Sequence, residues 1–138
     1  FWKLLFFKEG DFKYVNKKSS NWNRGAYLVE AVAHCGECHS PRNIFGGIKN
    51  YKSLSGNMTG LHNLSAPNIT PDFATGIGKW TKSDFLDFLQ SGMLPNGDFT
   101  GGKMAEVIDN FSLLKRKDTK AITDYILSLK PIKGEIGG

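Results

Sequence analysis

Residues 34–42 read HCGECHSPR, two cysteines three positions apart with a histidine directly after the second. The 138-residue chain has no other cysteine. A thiol–disulfide enzyme sets such a pair beside a βαβ pattern, and no convincing period-two strand accompanies this one. A structural zinc site takes four ligands, normally from two close-spaced pairs. His34, His39 and His62 could complete a set on paper, but there is no second pair. Two merely buried cysteines would leave the adjacent His39 unexplained. Covalent haem attachment uses all three residues. The thiols add to the two vinyl groups of haem, and two intervening residues let both sulfurs reach one porphyrin edge. The next residue then turns its imidazole under the iron. Cys35 and Cys38 are therefore the expected thioether positions of one haem c (heme c), and His39 the first axial ligand of its iron.

Outward from this motif, the chain reads as a single all-α domain. Its length suffices for one packed core, and 40% hydrophobic with 22% charged residues is a globular composition. The net charge of +5 is scattered, with no long basic run, so nucleic-acid binding is not expected. The most apolar stretch, FWKLLFF, is seven residues long and contains Lys3, too short to span a bilayer. The chain opens on Phe1, which suggests a processed protein or a piece of a longer one. Residues 1–20 read as an arm or interdomain linker ending in a turn-rich NKKSSN. A first helix is expected from Asn21 or Asn23, as N-cap, through RGAYLVEAVAH. Residues 41–79 carry little periodicity, and a large buried prosthetic group would organise so long an irregular stretch. A second helix fits TKSDFLDFLQSG, with Thr81 and Asp84 as a capping box, Phe85, Leu86 and Leu89 as the apolar face and Gly92 as the stop. A third fits DTKAITDYILSLK, with Ala121, Ile122, Tyr125, Ile126 and Leu129 on one stripe. The resulting fold is three to five helices with long loops wrapped around the haem. The domain runs over residues 21–133, and 134–138 form a flexible tail.

The sixth ligand decides function, because a filled iron suits electron transfer and an open one suits ligand binding or activation. Met104, in FTGGKMAEVID, follows two glycines that let backbone approach a flat ligand. It lies in an expected loop between the second and third helices. Met58, in SGNMTG, is its rival. Met93 sits in the turn after Gly92 and reads equally as a core gap-filler. His62 would give a bis-histidine site. His34, adjacent to Cys35, is poorly placed to cross to the far face and reads better as a surface residue. Pro41, Arg42 and Trp80 are further haem-pocket candidates. Pro41 either braces the His39 loop, aligning a carbonyl with the imidazole N–H, or simply stops the first helix. Trp80 either donates its indole N–H to a propionate or is a core aromatic.

Four segments, WNRGAYLVEAVAHCGECHSPRN, APNITPDFATGIGKWTKSDFLDFLQSG, GGKMAEVIDNFSLL and DTKAITDYILSLK, together resemble class I c-type cytochromes. The likeness is to haem domains of bacterial multi-haem dehydrogenase cytochrome subunits and to dihaem cytochromes c. It covers most of residues 21–130. The resemblance implies a small cytochrome c fold, Met104 as distal iron ligand, and a first and last helix that cross near Gly25 and Tyr125. It also implies an electron-transfer protein rather than an enzyme, which cycles Fe(III)/Fe(II) in a bacterial periplasm. Its partners would be redox proteins, a dehydrogenase donor and a downstream cytochrome or oxidase acceptor. Membrane association would come through a parent subunit of the respiratory chain. FWKLLFFKEGDF is similar to the linker entering a later haem domain. This chain departs from many relatives in having one haem motif rather than two or three. The alternative is a haem enzyme or ligand sensor whose sixth position is labile or open.

Overall fold

The computed structural model describes residues 2–6, 10–58 and 65–134. Among them the secondary structure is helical, with three isolated antiparallel bridges and no strand. A short helix, α1 (Trp2–Phe6), lies in the arm. Helix α2 (Ser20–Tyr27) starts at Ser19, whose side chain accepts from the Trp22 amide. The N-cap is thus Ser19 and not Asn21 or Asn23. Asn23 is buried instead, accepting from the Val15 amide and donating to the Val15, Lys18 and Ser19 carbonyls. This one side chain fastens residues 15–19 to the domain.

Helix α2 widens into a π-helical turn (Leu28–Val32) that buries Leu28 and Val29. His34 then takes a left-handed conformation, φ 51°, and the chain reverses into α3 (Cys35–His39). Among the described residues a 3₁₀ turn (Asn50–Lys52) is the one regular element between α3 and α4 (Lys82–Ser91). At the start of α4, Thr81 and Asp84 form the expected capping box, and Gly92 ends the helix at φ 76°. Next comes α5 (Gly102–Phe111), where a loop was expected, so Met104 lies in the first turn of a helix. The last helix, α6 (Arg116–Leu127), stops before Ser128 rather than reaching Lys130.

The core forms where α2 crosses α6, the most extensive helix contact in the fold. Gly25 sits at the crossing, and a Cβ there would lie 2.0 Å from the Ala121 carbonyl oxygen and 2.7 Å from Tyr125 Cβ. Ala26, Val29, Ile122, Tyr125 and Ile126 fill the space around it. Trp22 stands edge-on to Tyr125 at 5.0 Å and donates its indole N–H to Ser128 Oγ at 2.6 Å. Arg24 bonds Asp118 across the same interface at 2.9 Å. Helix α4 joins through Phe85 and Leu89, and through Lys82 paired with Asp124 at 2.7 Å. The domain is all-α, as its sequence implies. Of the expected tail, residues 135–138 lie outside the described residues.

Candidate functional site

Helical spacing places Cys35, Cys38 and His39 on one side of α3, at i, i+3 and i+4. The two thiols are free. Cys35 packs against the core, and burial pushes its thiol up to about 11. A redox-active C-x-x-C thiol is shifted the opposite way. No cluster of three or more His, Cys, Asp or Glu able to hold a metal ion occurs among the described residues.

His39 is 9% exposed and held at both ends. Its backbone carbonyl accepts from the Gly56 amide at 2.7 Å. Its Nδ1 lies 2.7 Å from the Pro67 carbonyl. A carbonyl only accepts, so Nδ1 carries the proton and Nε2 is the unprotonated nitrogen. Nε2 has no partner among the described residues, yet no fully buried side-chain nitrogen or oxygen among them lacks one. Nε2 therefore opens onto accessible space. Burial lowers the imidazole pKa, partly offset by the Pro67 bond. The ring is thus neutral at neutral pH, the form that ligates a metal. Two free thiols and one free imidazole nitrogen on one helix side fit the donor set of a covalently attached haem.

Two irregular segments build the cradle behind His39. Asn57 and Ala66 exchange backbone hydrogen bonds at 2.8 and 3.0 Å, and the Ile69 amide donates to the Leu54 carbonyl at 3.0 Å. His39 plugs into this short ladder, and Ser40 Oγ accepts from the Leu54 amide at 3.0 Å. Sequence reasoning did not single out Pro67. The carbonyl facing the imidazole, sought near Pro41, is that of Pro67, and the Pro41 carbonyl accepts from Lys49. The signal available was APN, a proline whose missing N–H frees its peptide from the ladder pattern.

The remaining candidates are spread around the fold. Arg42 pins the motif from outside, donating to the Gly46 carbonyl at 2.7 Å and to the Glu37 carboxylate at 2.6 Å. Trp80 is half-buried, edge-on to Phe88 at 5.4 Å, and its indole N–H has no partner among the described residues. Met104 is half-buried. Met58 is half-buried and accepts a weak bond from Ser65 Oγ at 3.6 Å. Met93 is 39% exposed beside Gly92. His34 is exposed on the surface, with Nδ1 3.0 Å from the Val32 carbonyl. His62 lies outside the described residues. A cavity of about 340 Å³ opens between α3 and α6, lined in part by Val29, Leu54, Tyr125 and Leu129. Neither cysteine nor His39 is among its walls.

No family model matches the chain. It is 37% identical over 138 residues to the fructose dehydrogenase cytochrome subunit of Gluconobacter japonicus, covering 99% of this chain and 28% of that one. It is 36% identical over 137 residues to a dihaem c-type cytochrome of Cereibacter sphaeroides, covering 96% and 43%. The cytochrome c subunit of the quinone-dependent alcohol dehydrogenase of Gluconobacter oxydans is 32% identical over 114 residues, covering 79% and 24%. The chain thus spans less than half the length of these relatives.

Proposed function

From the homology of this chain to cytochrome c subunits of bacterial dehydrogenases, we propose that it is an electron-transfer domain holding one haem c. The observation that carries the reading is the His39 imidazole, tied at Nδ1 and free at Nε2, beside two unpaired thiols. Bound haem c supplies an iron that takes up and releases one electron. Cys35 and Cys38 tether it through thioethers. His39 would hold the iron through Nε2, with the Pro67 carbonyl fixing the ring tautomer and orientation. Met104 would supply the second ligand to the iron, and its soft thioether would favour Fe(II) and raise the potential. Phe85, Leu89 and Ile77 keep the neighbouring core apolar. Surface lysines steer an acidic redox partner and act mainly on association rate.

The donor in this reading is a dehydrogenase and the acceptor a further cytochrome or an oxidase. The compartment is the bacterial periplasm, with membrane association through a parent subunit. No helix among the described residues is long and apolar enough to cross a membrane.

Two measurements test the proposal. Under denaturing conditions the intact mass should exceed the polypeptide mass by one haem, and extraction of the haem into acidic acetone would refute the thioethers. Met104→Ala should abolish the ferric methionine–iron band and open the iron to carbon monoxide or cyanide. Met58→Ala and Met93→Ala should leave the band in place. Loss of the band in Met58→Ala alone would move the ligand to Met58.

A further inference from the structure

The Pro67 carbonyl can serve His39 only if its peptide plane is held at one angle. Pro67 itself is exposed, so the constraint comes from the next residue. Asn68 is 4% exposed, and all four of its side-chain hydrogen-bonding positions are filled. Its Oδ1 accepts from the Thr70 amide at 2.8 Å and from Thr70 Oγ1 at 2.8 Å. Its Nδ2 donates to Thr75 Oγ1 at 2.9 Å and to the Ile132 carbonyl at 2.8 Å. Three glycines from three separate segments close around it. A Cβ on Gly56 would lie 2.8 Å from the Asn68 amide nitrogen, one on Gly76 3.2 Å from Asn68 Cγ, and one on Gly134 3.1 Å from Asn68 Nδ2. The peptide joining Pro67 to Asn68 is thereby fixed on one side by Gly56 and on the other by the Asn68 side chain.

The same side chain reaches the segment that follows α6. The Ile132 amide donates to Thr70 Oγ1 at 3.1 Å, and the Gly134 amide to Thr75 Oγ1 at 2.9 Å. A Cβ on Gly134 would meet the Ser55 carbonyl oxygen at 2.2 Å, so this segment lies flat against the cradle of His39.

We propose that Asn68 is a positioning residue that holds the Pro67 carbonyl on the His39 Nδ1–H and binds residues 132–134 into the support of the axial ligand. The proposal rests on the haem reading above. A strong Nδ1–H···O=C bond raises the basicity of the ligating nitrogen and stabilises Fe(III). Loosening it therefore raises the reduction potential. Asn68→Ala removes all four bonds and leaves the buried Thr70 amide without its partner, while Thr70 Oγ1, Thr75 Oγ1 and the Ile132 carbonyl keep other bonds. Thr75→Ala removes the outer anchor of Nδ2 and of Gly134, together with the Thr75 Oγ1 bond to Asp72 Oδ2, and leaves the Asn68 bonds to Thr70 and Ile132 in place.

The test uses haem-loaded protein and two readouts, the midpoint potential and the solvent exchange of the His39 Nδ1 proton by NMR. Asn68→Ala should raise the reduced-to-oxidised ratio at fixed applied potential by about threefold, about 30 mV. It should speed the proton exchange by about tenfold, with both thioethers intact. Thr75→Ala should move both in the same direction by less. Gly25→Ala, which strains the fold away from this cradle, should move neither. Wild-type values of both readouts in haem-loaded Asn68→Ala overturn the proposal, as does an equal shift in Gly25→Ala. If Asn68→Ala does not fold, unchanged readouts in Thr75→Ala overturn it. Wild-type protein without covalent haem would instead refute the haem reading.

Discussion

Replacing Gly25 by alanine tests the helix crossing on which the core depends. The new methyl group would fall 2.0 Å from the Ala121 carbonyl oxygen, 2.7 Å from the Ala121 carbonyl carbon and 2.7 Å from Tyr125 Cβ. Two of these atoms are α6 backbone and the third is bonded to it, so no rotamer change relieves the clash. Helices α2 and α6 must separate by about 1 Å to restore ordinary contact distances. That loosens Ala26, Val29, Ile122 and Ile126, each no more than 3% exposed. Overpacking of this kind costs about 3 kcal/mol or somewhat more where the obstacle cannot yield. Alanine returns about 1 kcal/mol in helix propensity. The net expectation is a loss of about 2–3 kcal/mol, a fall in Tm of about 10 °C for a domain of this size. Urea unfolding of the haem-loaded protein, followed by far-ultraviolet circular dichroism, measures it. The midpoint should drop with an unchanged slope. A midpoint equal to or above wild type would show that the two helices do not cross at Gly25.

Asp118→Asn should flatten the acid limb of the stability curve. The Arg24 guanidinium holds the Asp118 carboxyl below its usual range. The folded value is depressed, so the contribution is present above about pH 4 and is lost as pH falls through the lower folded value. Arg24 is 47% exposed, so the pair is worth about 1 kcal/mol or less. Acid titration of both proteins by circular dichroism checks the shape, and an unchanged acid limb would count against the pair. Tyr125→Phe removes the hydroxyl that bonds Glu30 and should cost about 1 kcal/mol at pH 7. Burial and the Glu30 bond raise the Tyr125 pKa. That contribution is present below about pH 10 and lost as pH rises beyond it. The variant should therefore lose stability less steeply than wild type in the alkaline range, and parallel alkaline limbs would refute the assignment.

The sequence carried the features written in local spacing. The C-x-x-C-H run specified which three residues share one turn, because i, i+3 and i+4 meet on any helix. The Thr81–Asp84 box and Gly92 fixed both ends of α4 for the same reason, since caps are bonded within a few residues. Met104 was visible as a residue but not in its setting. Two preceding glycines argued for a loop, whereas packing of Ile108 beneath Gly92 stabilises a helix there. Ser19 took the cap expected of Asn21 or Asn23, because Asn23 was needed to hold residues 15–19.

Tertiary structure alone decided what faces His39. Pro67 lies 28 residues away, and Ile132, which steadies it through Asn68, lies 64 residues beyond Asn68. Hydrogen bonds of that separation leave no period or cap in the sequence. They close where the segment after α6 returns across residues 55 and 68–75. A donor set can thus be spelled in nine consecutive residues, whereas the carbonyl that aims it depends on contacts across half the chain.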